Sequence, residues 1–113
     1  MSNAKKDFRV DSLGVQIYDS ETELALSAAT IVQEYLQLIL KQKQTATVLF
    51  ATGNSQLKFL DALANLNNID WSRIICFHLD EYLGISGDNS SSFRYYLKER
   101  VEKRISPSLF HYI

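Results

Sequence analysis

The chain has 113 residues, enough for one domain built around one core. Hydrophobic residues make up 46% of the sequence and charged residues 22%, a composition typical of soluble globular proteins. The formal net charge of −1 gives no electrostatic basis for binding nucleic acid or an acidic membrane surface, and no apolar run could span a bilayer. We therefore expect neither nucleic acid nor a membrane as a partner.

The first predicted elements are a strand and a long helix. Residues 1–6 lack the apolar core of a signal peptide, and the single cysteine, Cys76, cannot form an internal disulfide, so we expect a reducing, cytoplasmic location. Residues 15–18 have apolar side chains at alternate positions, which predicts a strand. Ser20 and Glu23 have capping-box spacing, so a helix should begin there. Its apolar stripe is formed by Leu24, Ala28, Ile31, Val32, Tyr35 and Ile39.

Two further strand-helix pairs follow. Residues 45–51 and 74–79 are short apolar and β-branched runs, typical of strands buried inside a parallel sheet. A helix from about Gln56 is predicted between them, and a third helix after the turn-forming residues 84–91. Residues 109–113 could start another strand. The apolar positions of the two helices are Leu57, Leu60, Leu63 and Ala64, then Phe93, Tyr96, Leu97 and Val101.

The order βαβαβα predicts an α/β fold in which helices cover a parallel sheet, here as a single domain over residues 1–113. The strand order is not readable from the sequence. In such folds ligands bind beyond the carboxyl ends of the strands. Residues at those ends are therefore the candidates for function.

The Gly53 loop, formed by Thr52, Gly53, Asn54 and Ser55, joins the second predicted strand to a helix. Free backbone N–H groups and the positive end of the helix dipole favour an anion there, and the glycine permits close approach. The lysine of a P-loop is absent. The loop predicts a phosphate site; the alternative is a plain turn in which Ser55 caps the helix.

The acidic turn, formed by Asp80, Glu81 and Tyr82, follows the third predicted strand. Asp80 is the candidate catalytic base, and the alternative is that it only caps a turn. Strand geometry favours a supporting role for Glu81 over catalysis, and the pair lacks a third ligand at a recognisable spacing, so no metal is expected. His78 could come near Asp80, but a packed, hydrogen-bonded strand histidine is favoured. If the strands are neighbours, the loop and the turn share one crevice.

Three segments, LFATGNS (residues 49–55), FHLDEYLG (77–84) and SSF (91–93), resemble the glucosamine-6-phosphate deaminase (isomerase) family. The resemblance implies a Rossmann-like three-layer fold and conversion of glucosamine 6-phosphate to fructose 6-phosphate and ammonia, without metal or organic cofactor. Asp80 matches the carboxylate that moves a proton between C2 and C1 through an enolamine. The Gly53 loop matches the phosphate loop, and Glu81 and Tyr82 are assigned to substrate binding. The related 6-phosphogluconolactonases tend to carry arginine where Tyr82 stands.

Departures from the family pattern leave alternatives open. Asn54, Gln56, Ser90 and Phe93 differ from common family residues, and the Gly-x-x-Gly-His block that supplies the ring-opening histidine is absent. The resemblance covers only the amino-terminal half of the family, which predicts an incomplete domain. The alternatives are a non-catalytic sugar-phosphate-binding module, an inactive fragment, or a receiver domain phosphorylated on Asp80. The unpaired edge of the last strand predicts a chain that is marginally stable or associates as a homo-oligomer.

Overall fold

The computed structural model describes residues 4–113; the first three residues, on which part of the signal-peptide argument rests, lie outside this range. The described chain forms two sheets and a set of helices. The elements are β1 (Lys6–Val10), β2 (Leu13–Ile17), α1 (Glu21–Gln42), β3 (Ala46–Phe50), α2 (Leu57–Asn65), β4 (Ile74–His78), α3 (Phe93–Leu97), a π-helical turn (Lys98–Glu102), α4 (Lys103–Ile105) and β5 (Leu109–His111).

The first predicted strand does not belong to the parallel sheet. Residues 15–17 fall in β2, which pairs antiparallel with β1 as a hairpin. Phe8 faces Val15 and Val10 faces Leu13 across the hairpin. The prediction was wrong here because β1 has only two apolar residues, Phe8 and Val10, among polar ones, so its pairing with β2 carries little sequence signal.

The main sheet has the strand order β3-β4-β5, and all three strands run parallel. Ala46 lies opposite Ile74, and Phe50 lies opposite His78. β5 confirms the strand suggested for the end of the chain and pairs Phe110 with Cys76. The second and third predicted strands are therefore neighbours, as the shared crevice requires.

The helices pack on one face of this sheet. Ala46, Phe50, Ile74 and Cys76 point to that face and are buried in one cluster with side chains from α1, α2 and the last helical region. The opposite face carries exposed Leu49, Phe77 and Leu109. The α/β class and the parallel sheet are confirmed. Of the expected three layers, residues 4–113 form two, the sheet and one helical layer, which agrees with the prediction of an incomplete domain.

Helix α1 begins where the capping pattern predicts. The Ser20 hydroxyl accepts a hydrogen bond from the Glu23 backbone N–H at 3.1 Å. The predicted apolar stripe is only partly right, because Leu24, Ile31 and Tyr35 are exposed, while the most buried positions are Ala25, Ser27, Ala29, Leu36 and Leu40. Within residues 4–113, no helix is both long enough and apolar enough to cross a membrane.

Candidate functional site

The Gly53 loop and the acidic turn leave adjacent strands at the same edge of the sheet. The Leu79 backbone N–H donates to the Phe50 carbonyl at 3.1 Å, which extends the β3-β4 pairing to the last residue before Asp80. β3 ends at Phe50, and the Gly53 loop begins two residues later, at Thr52. The carboxyl ends of two parallel neighbours thus bring these segments side by side, which meets the condition that a shared crevice requires.

The backbone of the Gly53 loop has a conformation that requires glycine. Gly53 has φ +106° and ψ 172°, a region that residues with a side chain avoid. Its carbonyl accepts from the Gln56 backbone N–H at 3.1 Å and from the Tyr96 hydroxyl at 2.6 Å. A 3₁₀ turn, Asn54–Gln56, then runs directly into α2, with Asn54 and Ser55 exposed. The loop therefore presents the amino end of a helix to solvent.

Asp80 and Glu81 are neighbours with different surroundings. Asp80 is exposed at the exit of β4. The Glu81 side chain is only 7% exposed, and its two oxygens accept from the backbone N–H groups of Tyr82, Phe93 and Arg94 at 2.9–3.0 Å and from Arg94 Nε at 3.0 Å. Burial by itself raises the pKa of Glu81, but these hydrogen bonds outweigh it and hold the pKa at about 2.

The geometry gives Glu81 a clear structural role. A carboxylate offers about four acceptor positions, and four donors already occupy those of Glu81. Three of these donors, from Phe93 and Arg94, connect the acidic turn to the amino end of α3. A ligand would have to displace one of these donors to reach Glu81. Tyr82 is exposed, and its ring packs on Phe93 with centroids 4.9 Å apart.

Sequence reasoning missed the roles of Arg94 and Tyr96. Arg94 pairs with Glu81 and also donates to the Ile85 carbonyl at 2.6 Å. Tyr96 was counted only as an apolar residue of the third helix, yet its hydroxyl reaches the Gly53 loop. The sequence signal for either role was weak. The Arg94 guanidinium and the Tyr96 hydroxyl lie on a helix, and their partners are distant in the sequence.

The histidines do not join the acidic turn. His78 is buried on the helical side of β4, where its Nε2 accepts from the Ile113 backbone N–H at 3.1 Å, which confirms the packed, hydrogen-bonded strand histidine. His111 stacks on Phe77 with centroids 4.8 Å apart. Within residues 4–113, no group of three or more His, Cys, Asp or Glu side chains could hold a metal ion.

A cavity of about 640 Å³ lies between α1 and the start of α2. Asn54, Ser55 and Gln56 line one end of it, and an ion pair between Glu21 and Lys58, 3.1 Å apart, lies at its border. Its other walls are apolar, and the acidic turn is not among its lining residues. A sugar phosphate bound between the Gly53 loop and the acidic turn would have to reach Asp80. This cavity is mainly apolar and does not reach Asp80, so it does not match such a ligand. The remaining lining residues are Leu24, Ala25, Ala28, Ile31, Val32 and Phe59.

Two curated relatives are glucosamine-6-phosphate deaminases. The one from Streptococcus pneumoniae (strain 70585) is 39% identical over 66 residues, which are 56% of this chain and 28% of the relative. The one from Clostridium acetobutylicum (strain ATCC 824) is 37% identical over 84 residues, 72% of this chain and 33% of the relative. The chain thus spans about a third or less of the length of these relatives. No family model matches it.

Solved structures support the fold. A 6-phosphogluconolactonase from Shewanella baltica OS155 has a TM-score of 0.76 at 23% identity, covering 84% of this chain and 40% of the other. A monomeric glucosamine-6-phosphate deaminase has a TM-score of 0.72 at 24% identity, with the same coverage. At this identity the structural likeness shows a shared Rossmann-like fold. Together with the curated relatives, it confirms that this chain resembles part of the glucosamine-6-phosphate deaminase family.

Proposed function

We propose that the chain is a sugar-phosphate domain of the glucosamine-6-phosphate deaminase type, corresponding to the amino-terminal half of such an enzyme. The observation that carries this proposal is the adjacency of the Gly53 loop and Asp80 at the ends of β3 and β4. One segment suits an anion and the other suits proton transfer. The names of the relatives, glucosamine-6-phosphate deaminase and 6-phosphogluconolactonase, point to a sugar phosphate as the ligand.

In this proposal the Gly53 loop binds the phosphate group. The first N–H groups of a helix have no acceptor within it, and the helix dipole adds positive potential there. Asn54 and Ser55 are exposed at this position, and Thr52 adds a hydroxyl. The phosphate would be held mainly by backbone donors, since the lysine of a P-loop is absent.

Asp80 is the proposed base that takes a proton from C2 of the open-chain amino sugar and returns it to C1, forming the enolamine on the way. Asp80 is exposed and follows β4 after one residue, Leu79, at the edge of the sheet that also carries the phosphate loop. Anchoring the phosphate orients the sugar carbon toward the base. Glu81 supports this by binding the turn to α3.

The second candidate is a module that binds sugar phosphate without turnover. The 113 residues contain two histidines, and neither is available to open the sugar ring near Asp80. His78 is buried and bound to the Ile113 N–H, and His111 stacks on Phe77. This observation favours binding over complete catalysis by the chain alone.

Asp80→Asn tests the proposed division between binding and chemistry. Asparagine keeps the shape of the side chain but cannot take a proton from carbon. We expect glucosamine 6-phosphate to bind both the wild type and the variant with similar affinity, with amide NMR shifts centred on residues 52–55. Exchange of the C2 hydrogen of an open-chain substrate analogue should fall about 10²–10⁴-fold in the variant.

The matched measurement is ammonia release, for which we expect little or none from the wild-type chain. Robust ammonia release would favour a complete enzyme over the binding module and would show that ring opening does not need the missing block. Phosphate-induced shifts confined to residues far from the Gly53 loop would contradict the loop assignment. Undiminished C2 exchange in Asp80→Asn would remove Asp80 from the mechanism.

A further inference from the structure

Tyr96 connects the two halves of the candidate site. It lies on α3, the helix whose amino end Glu81 holds, and its hydroxyl donates to the Gly53 carbonyl at 2.6 Å. The side chain is half-buried, and its ring packs under the Arg100 guanidinium at 4.5 Å. Burial raises the pKa of Tyr96 against the opposing effect of the Arg100 charge, so the hydroxyl is protonated and can donate at neutral pH.

The direction of the Gly53 carbonyl determines where the next N–H points. In a planar trans peptide the C=O of one residue and the N–H of the next point in opposite directions. The chain has no cis peptide bonds among residues 4–113. Because Tyr96 and the Gln56 N–H both hold the Gly53 carbonyl toward the protein, the Asn54 N–H points away from them, outward from the loop.

Glycine makes this peptide easy to reorient. Gly53 has no Cβ, so its own side chain places no steric limit on rotation of the Gly53–Asn54 peptide. The Gln56 N–H contact is the longer of the two bonds to the carbonyl, at 3.1 Å. The Tyr96 hydroxyl makes the shorter bond, at 2.6 Å, and it restrains the Gly53–Asn54 peptide from a different element, α3.

We propose that Tyr96 is a positioning residue that holds the Gly53–Asn54 peptide in the orientation that offers the Asn54 N–H to a bound phosphate. This inference rests on the proposed phosphate-binding function of the loop. Tyr96 itself does not contact the ligand in this arrangement. Its effect is to preorganise a backbone donor, so that binding does not include the cost of ordering the peptide.

Tyr96→Phe tests the inference because it removes only the hydroxyl. Tyr95→Phe, one residue earlier on the same helix, is the control, since the Tyr95 hydroxyl makes no hydrogen bond to the Gly53 loop. Inorganic phosphate and glucosamine 6-phosphate are titrated into each chain and followed by amide NMR. We expect about a three- to tenfold weaker affinity for both ligands in Tyr96→Phe, the effect of one lost hydrogen bond, and no change in Tyr95→Phe.

A second readout needs no ligand. In ligand-free Tyr96→Phe the Asn54 amide signal should shift or broaden, while the thermal midpoint stays close to that of Tyr95→Phe. Wild-type affinity in Tyr96→Phe, with an unchanged Asn54 signal, would overturn the inference and leave the proposed loop function intact. Absence of phosphate binding by the wild type would instead overturn the loop function, and the inference with it.

Discussion

Asp80 and Glu81 show how two adjacent carboxylates acquire different roles. Asp80, just beyond the end of β4, is exposed to solvent. The Glu81 carboxylate is buried and accepts hydrogen bonds from the backbone of α3 and from the Arg94 side chain. A helix amino end has unsatisfied N–H groups, and a carboxylate is a strong acceptor for them. Glu81 is thus tied into the fold, while Asp80 remains accessible.

Glu81→Gln should destabilise the fold and change its pH dependence. The pKa of Glu81 is lowered from its ordinary value of 4.5 to about 2. Its contribution to stability is therefore complete above about pH 4.5 and is lost as the pH falls toward 2. At pH 7 we expect the variant to lose about 1–3 kcal/mol of unfolding free energy, because buried donors lose a charged acceptor.

Urea denaturation of the wild type and Glu81→Gln at several pH values between 7 and 2 measures both effects. The two stabilities should converge as the pH falls through this window. Asp80→Asn is the control, since the Asp80 carboxylate takes no part in holding α3. A constant difference between wild type and Glu81→Gln down to pH 2 would contradict the assigned protonation behaviour.

Helix α1 shows why an amphipathic pattern can leave its buried face undecided. Apolar residues occur around most of its circumference, so more than one stripe satisfies the helical period. Packing against α2 and β3 selected Ala25, Ala29, Leu36 and Leu40 for burial. The carboxyl end of the same helix is fixed by a residue outside it. The Arg73 guanidinium donates to the carbonyls of Leu40, Lys43 and Gln44 at 2.8–2.9 Å.

Arg73→Lys should lower the unfolding free energy by about 1–2 kcal/mol. An ammonium group keeps the charge but cannot present the planar fork that reaches all three carbonyls. Arg9→Lys is the control, because Arg9 makes one exposed hydrogen bond to the Ser12 carbonyl in the hairpin, and we expect it to change stability by less than about 0.5 kcal/mol. Equal unfolding free energies for Arg73→Lys and the wild type would show that α1 does not depend on this contact.

At the scale of the whole molecule, the open face of the parallel sheet is the main feature. Parallel sheets are normally covered on both faces. Here Leu49 and Leu109 are more than half exposed, at 58% and 52%, and Phe77 is exposed at 38%. β3 and β4 have five residues each and β5 has three. With strands about 4.8 Å apart, the face covers at most roughly 15 by 17 Å, well under the roughly 800 Å² per partner of a stable interface.

We therefore expect the 113-residue chain to associate weakly, with an average mass in sedimentation that rises with concentration. Replacing Leu49 and Phe77 together by Gln should restore a monomer at all concentrations without loss of folding, because both side chains are already partly in solvent. Leu83→Gln, in a fully exposed loop position, is the control and should behave like the wild type. A wild-type chain that stays monomeric over a wide concentration range would contradict this expectation.

The sequence by itself determined the α/β class, helix α1, the two strand-helix pairs that follow it, and the positions of the Gly53 loop and the acidic turn. These features follow from local rules: apolar periodicity, the Ser20 cap, and glycine or polar residues where a strand ends. The strands at which these two segments lie were read correctly. Whether β3 and β4 are neighbours could not be predicted from the sequence, although the shared crevice depends on it.

Only the tertiary structure decided the strand order, the separate hairpin, the buried face of α1 and the connection from Tyr96 to Gly53. Each of these depends on contacts between residues distant in the chain; Tyr96 and Gly53 are 43 positions apart. Local propensity contains no information about such a partner, because an exposed tyrosine and one that holds a carbonyl have the same preference for a helix. The open sheet face follows for the same reason, since burial depends on which other elements pack against a strand.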